Sequence, residues 1–214
     1  MGDKPPKNIR SLNRYITTHN KTGQAIFSTA LSEDMPVKSL DNGADFSLAY
    51  TSDRFPAQLD GDVDLAEYAN YLTNPPGITI STGNVCRIVD IQPGITCAMH
   101  RTVSLDYGVV LEGEVELILD SGETRLLKRG DVAVQRGTNH AWRNATPDVI
   151  DPVTNERTPQ WARMLYVLMP SQPMTIGGKY LGEVVDGIGA RANFDSYPWV
   201  VMKLGDSKDH HGKV

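Results

Sequence analysis

The sequence predicts an all-β domain of short antiparallel strands, closed as a small barrel or sandwich. Three observations lead there. From Val85 onward, short strand-like runs are separated by the turn signals QPG, SLD, EG, DSGE, KRGD and RGTN. Within Glu114 to Asp120 the residues alternate: Val115, Leu117 and Leu119 face one way, Glu114, Glu116 and Asp120 the other. Only one stretch, VDLAEYANYL, carries convincing helical spacing.

Taken along the chain, Gln24 to Leu31 and Phe46 to Ser52 are β-rich runs. The helix is predicted over Val63 to Leu72, with Leu65, Ala66, Ala69 and Leu72 on its apolar side. Asp62 is placed as its N-cap and NPPG as its stop. Strands then follow at Val85 to Ile91, Cys97 to Val103, Tyr107 to Leu111, Glu114 to Leu119, Thr124 to Leu127, Asp131 to Gln135, His140 to Arg143 and Trp161 to Met169. The last is apolar on both faces, which predicts a central strand. The segment ATPDVIDPVTNERTPQ, polar with three prolines, reads as a surface loop and a lid over one end of the barrel. The tail after Met202 is expected to be mobile, and its His210–His211 pair to be solvated rather than metal-binding. No internal repeat is evident, so one barrel is expected: an extension over 1–75, a core over 76–170 and a C-terminal segment over 171–214.

Composition narrows the function. With 214 residues and 40% hydrophobic content the chain can bury a substantial core. A net charge of -5 with no basic stripe argues against nucleic acid as a partner. No apolar run is long enough to span a bilayer. The N-terminal MGDKPPKNIR lacks the apolar core of a secretion signal, and Pro6 breaks the myristoylation pattern, so a cytoplasmic protein is expected. In that setting Cys86 and Cys97 are two reduced thiols, and the RGD at Arg129 to Asp131 is a turn rather than an adhesion motif. Neither a phosphate loop nor a dinucleotide fingerprint occurs, so no nucleotide cofactor is expected.

The residues with chemistry gather in two stretches. On a strand, His100 and Thr102 share a face, and a tight turn at Ser104–Leu105 would bring Asp106 beside them. In the second stretch His140, Trp142 and Asn144 share a face. Two imidazoles and a carboxylate meeting in a barrel would form a facial triad suited to iron(II) with open coordination positions. The competing arrangement is a hydrogen-bonded His100–His140 pair lining an organic pocket, with Asp106 orienting one imidazole as a general base. Trp142 serves equally as pocket wall or as core. Arg87 shares a strand face with Val89 and Ile91. It either anchors a substrate carboxylate or pairs with an acid on a neighbouring strand. Asn144 is assigned to tying down the turn after its strand, and Tyr107 to packing outside the barrel.

The spacing Gly94, His100, Thr102, Asp106, Gly113 resembles the first signature motif of the cupins, and Gly130, Gly137, His140, Asn144 resembles the second. Thr102 stands where the family's second histidine is found, Asp106 replaces its glutamate, and Arg136 occupies a position commonly held by proline. The resemblance covers Val85 to Met169. It implies a cupin double-stranded β-helix, an RmlC-like jelly-roll barrel, with an N-terminal extension of strands and one short helix. It also implies a homodimer paired through N-terminal strands.

HRTVSLDYGVVLEGEVEL and QRGTNHAWRN are similar to small single-barrel cupins attached to polyketide and other secondary-metabolite pathways, often described as cupin-domain oxidoreductases. That likeness implies an enzyme acting on a small apolar or aromatic oxygenated metabolite. Its divalent metal (iron, manganese or zinc) would be held by His100, Asp106 and His140, the catalytic residues. Thr102 would hold the metal's water, and Trp142 and Arg87 would line the pocket. Oxidation is the leading reaction. Decarboxylation, dehydration, isomerisation or cyclisation by histidine acid–base chemistry is the alternative, as is a metal-free binding protein.

Overall fold

The computed structural model describes residues 4–185. β1 (Thr17–His19) and β2 (Ala25–Phe27) form a small exposed hairpin, followed by β3 (Lys38–Ser39) and β4 (Ala44–Ser52). A 3-10 turn (Asp60–Asp62) leads into α1 (Val63–Thr73). Next come β5 (Asn84–Ile91), β6 (Ser104–Glu112), β7 (Glu114–Leu119), β8 (Thr124–Lys128), β9 (Val132–Arg136) and β10 (His140–Asn144). β11 (Val149–Ile150) and β12 (Arg157–Thr158) make a minor hairpin before the long β13 (Ala162–Pro170). A last hairpin, β14 (Met174–Ile176) and β15 (Lys179–Leu181), closes the described chain.

Two sheets face each other. The larger runs β3-β4-β5-β13-β6-β9, the smaller β10-β7-β8, with antiparallel neighbours throughout. β13 is central, as its two apolar faces predict. Between the sheets lies a core drawn from both: Val89, Val110, Ala162 and Met164 from the larger, Val115, Leu127 and Trp142 from the smaller. This is the jelly-roll sandwich expected from the sequence, with β4 adding a strand beside β5.

Three local expectations need correction. Cys97 to Val103 is not a continuous strand; it follows β10 through isolated bridges, Thr96 to Arg143 and His100 to His140. No tight turn sits at Ser104–Leu105, because Ser104 already begins β6. The segment 145–160 is not a lid: it carries the β11–β12 hairpin, and none of its residues lines the central cavity.

The helix forms where predicted, but its start differs. Asp62 adopts φ 55 and its carboxylate caps nothing; the preceding 3-10 turn makes the entry instead. The buried side is Leu65 and Tyr68, while Ala66 faces solvent. Tyr68 is fully buried, and its hydroxyl donates to the Leu48 carbonyl at 2.7 Å while accepting from Arg14. A buried phenol requires such a partner, so the helix is clamped onto β4. No helix among the described residues is long and apolar enough to cross a membrane. The expected mobile tail lies outside the described residues.

Charge pairing pins the large sheet. Arg163 on β13 grips Asp90 on β5 through two hydrogen bonds, Nε to Oδ1 at 2.6 Å and Nη2 to Oδ2 at 2.9 Å. Lys7 reaches Asp90 at 2.5 Å and Asp45 at 3.1 Å; Lys4 joins Asp45 at 2.6 Å. Both lysines lie over the Trp161 ring. The N-terminal segment is thereby strapped across β4, β5 and β13.

Gly113 makes the passage from the large sheet to the small one, at φ 79. A Cβ there would stand 2.4 Å from Thr146 Oγ1 and 3.2 Å from the Ala162 Cα. Gly113→Ala combines a disfavoured backbone with a clash, and its expected penalty is about 2–4 kcal/mol. Urea unfolding of the variant beside wild type measures it; an unchanged midpoint would show that the turn relaxes freely.

Candidate functional site

His100 and His140 are held opposite each other by a pair of reciprocal backbone hydrogen bonds, each N to the other's O at 2.8 Å. This is the hydrogen-bonded pair geometry of antiparallel strands. Their rings consequently lie 4.3 Å apart between centroids. In each ring Nδ1 contacts the carbonyl two residues upstream, Ala98 O for His100 and Thr138 O for His140, both at 2.9 Å. A carbonyl only accepts, so Nδ1 carries the proton and Nε2 keeps its lone pair. Neither Nε2 has a hydrogen-bond partner among the described residues. Burial pushes the basicity of both rings down. For His140 the second cause is its neighbour His100, and its pKa falls to about 4. At neutral pH the site presents two uncharged imidazoles.

Asp106 is supplied by β6, on the same face as Ser104. Ser104 donates to the Thr102 hydroxyl at 2.7 Å, and Thr102 donates to Asp106 Oδ2 at 3.2 Å. The other carboxylate oxygen, Oδ1, is buried without a partner among the described residues. Burial raises the Asp106 pKa to about 6, against the opposing pull of the two hydroxyls. The carboxyl therefore titrates near neutrality, a property suited to moving a proton.

These residues line one cavity together with Phe46, Ile78, Val89, Ile91, Leu168 and others. Its volume is about 80 Å³, several times the roughly 10–15 Å³ that accommodates one water. Trp142 is both wall and core: it lines the cavity, packs in the hydrophobic cluster, and meets His140 and Tyr166 edge-on at 5.5 Å and 5.7 Å. Tyr107 lies outside, half exposed. Asn144 secures the far end of β10: its Nδ2 donates to the carbonyls of Ile91, Gln92 and Gln160, at 3.0, 3.1 and 2.9 Å.

Arg87 also lines the cavity, but it makes no ion pair with an acid on a neighbouring strand. The cation–acid pair between β5 and β13, Asp90 with Arg163, lies on the other face of the sheet. Sequence reasoning missed Ser104, Gln135 and Tyr166. The i, i+2 relation of Ser104 to Asp106 was available as a signal, but the expected turn at Ser104–Leu105 concealed it. Tyr166 was hidden because an apolar run on both faces does not show which residue meets a cavity.

The donor set fits a divalent metal in part. Both imidazoles are prepared as metal ligands commonly are, with Nδ1–H held by a carbonyl and Nε2 free. The orphaned Asp106 Oδ1 is an acceptor without a donor. Yet no three His, Cys, Asp or Glu side chains among the described residues come together as one ion-holding group. The expected His100–Asp106–His140 triad is thus not assembled. His100 and His140 are the two protein ligands on offer, with Asp106 alongside in the same cavity.

Two facing antiparallel sheets around a largely apolar pocket with a polar cluster at one side define a jelly-roll barrel. Residues 87–150 match the Cupin domain family, and the chain belongs to it. It is similar to phomopsin biosynthesis cluster protein C′ of Diaporthe leptostromiformis, 44% identical over 187 residues that span 87% of this chain and 93% of that one. Oryzines biosynthesis cluster protein J of Aspergillus oryzae is 45% identical over 183 residues, 86% and 96% of the two chains. The cupin-domain-containing oxidoreductase virC of Hypocrea virens is 39% identical over 172 residues, 80% and 82%. The relatives connect this chain with secondary-metabolite biosynthesis.

Proposed function

We propose that this protein is a metal-dependent oxidoreductase of a secondary-metabolite pathway, acting on a small oxygenated metabolite bound in the barrel. The observation that carries the reading is the His100–His140 pair: two neutral, backbone-oriented imidazoles with free Nε2 atoms, facing each other at a largely apolar pocket. The naming of relatives such as virC as oxidoreductases supports it. His100 and His140 would hold a divalent metal through their Nε2 atoms, and a redox-active one would supply a centre for oxidation by dioxygen. The chain's own contribution is to orient both imidazoles through Ala98 and Thr138, line the pocket with Trp142, Tyr166 and aliphatic side chains, and set Asp106 to exchange a proton at about pH 6.

A second reading, metal-free acid–base catalysis such as decarboxylation or isomerisation, is favoured by the placement of Asp106 outside any three-ligand group. Metal analysis separates the two. Protein produced with iron, manganese or zinc supplied is expected to carry about one equivalent per chain, and His100→Ala and His140→Ala to carry none. Absence of metal in wild type under all three supplies overturns the oxidoreductase and leaves proton transfer. Turnover of a pathway intermediate without metal, abolished by either histidine change, then establishes the second reading.

A further inference from the structure

Arg87 is a buried cation without a counter-charge among the described residues. Its residue is 6% exposed, and its guanidinium makes one hydrogen bond, Nη2 to the Gly77 carbonyl at 2.8 Å. One face lies over the Phe46 ring, 4.9 Å from its centroid. No carboxylate among the described residues reaches it, and its remaining N–H groups have no acceptor there. Burial pushes its pKa down to about 10, which leaves it charged at neutral pH. A guanidinium withdrawn from water is strongly unfavourable unless something of opposite charge meets it. The side open to an incoming group is the cavity, which Arg87 lines together with His100, Asp106 and His140.

Sheet register sets the distance between these ends. Arg87 on β5 stands opposite Tyr166 on β13, and Tyr166 stands opposite Gly108 on β6. Asp106 lies two residues along β6 from that row, opposite Leu168. Two strand spacings and two residues of rise put Arg87 and Asp106 on the order of 10–12 Å apart through the backbone. Gly108 makes room for the Tyr166 ring between them: a Cβ there would stand 2.9 Å from that ring. The cavity thus has a fixed cation at one side, aromatic and aliphatic walls, and the imidazole–carboxyl cluster at the other.

We propose that Arg87 is the carboxylate-binding residue of this pocket, so that the ligand is a small amphiphilic carboxylic acid whose apolar body points toward His100 and His140. The inference rests on the small-molecule reading of the cavity, and it adds the charge and orientation of the ligand. A guanidinium fork bonds a carboxylate through two parallel N–H groups. A single such fork beside aromatic and aliphatic walls suits a monoanion.

Calorimetric titration with matched probes tests it without reference to turnover. The probes are 4-phenylbutyrate and its uncharged amide, at about pH 8, each added to wild type, Arg87→Met, Arg87→Lys and His140→Ala. Wild type is expected to bind the acid at least about tenfold more tightly than the amide. Arg87→Met binds both equally, Arg87→Lys retains part of the preference, and His140→Ala retains all of it. Ligand-free Arg87→Met is expected to melt at a higher temperature than wild type, because an unpaired buried charge has been removed. Equal binding of acid and amide by wild type, or a preference that survives Arg87→Met, overturns the proposal. Loss of preference in His140→Ala also overturns it, since the anion would then sit at the imidazoles. If Arg87→Met does not fold, Arg87→Gln gives the same comparison while keeping a donor for Gly77. A protein that holds no metal yet prefers the acid would remove the oxidoreductase and leave this assignment standing.

Discussion

Asp106→Asn is expected to stabilise the folded protein at about pH 8 by roughly 2–3 kcal/mol, and to give little of that gain at about pH 4. Asp106 is 4% exposed, with one carboxylate oxygen unpartnered among the described residues, and its folded pKa stands near 6. A raised carboxyl pKa favours folding while the group is protonated in both states, below its unfolded value near 3.9. That contribution is lost as pH rises through about 6, where the folded state must hold a buried anion. An uncharged amide avoids the loss. Chemical denaturation of wild type and variant at the two pH values measures it; an equal gain at both would mean that the charge is not the cause. The same substitution removes the group proposed to exchange a proton, so activity is expected to fall by about 10²–10⁴-fold. A stabilised but inactive variant is the signature of a strained catalytic carboxyl rather than a structural one.

His140 shifts in the opposite direction. Its folded pKa lies near 4, so its contribution is present above the unfolded value near 6.5 and is lost as pH falls through the folded one. Between about pH 4 and 6.5 the two residues therefore offset each other in wild type. Each shows its pH dependence only when the other is replaced.

Arg163→Met is expected to destabilise the protein by about 3–5 kcal/mol. It leaves Asp90 buried with only Lys7 as a cationic partner. The double variant Asp90→Leu/Arg163→Met is expected to recover most of the loss, because it removes both charges from the interior together. A double-mutant cycle by urea unfolding tests the coupling, and additive single effects would dismiss it. The pair also bears on the site. Arg163 stands opposite Asp90 in the register that sets Tyr166 opposite Arg87, so loosening it lets the cavity wall shift.

The barrel was legible in the sequence because its information is local. Period-two alternation in Glu114–Leu119, the doubly apolar run at β13 and turn residues at each reversal all act within a few residues. The glycines of both motifs were legible for the same reason: Gly94, Gly113, Gly130 and Gly137 all take positive φ. The segment between Cys97 and Asp106 was misjudged because its pairing is irregular. His100 bonds to β10, and four residues later the chain enters β6 of the other sheet. Such a change of sheet leaves no period to read. Asp62 failed as a cap for a related reason: its backbone is left-handed, which composition does not reveal.

The site divides in the same way. The presence of His100, Asp106, His140 and Trp142 in one pocket followed from strand alternation and motif spacing. What each does there depended on atoms distant in sequence: Ala98 and Thr138 setting the imidazole protons, Thr102 occupying one oxygen of Asp106, His100 depressing His140. Arg87 shows the division most clearly. Its position on an inward strand face could be read from Arg87, Val89 and Ile91 alone. Whether it met an acid or a cavity was decided by register across β5, β13 and β6, which sets Tyr166 and Gly108 rather than an acid in its row and leaves the guanidinium of Arg87 facing the pocket. Local periodicity settles which way a side chain points, and long-range pairing settles what it meets there.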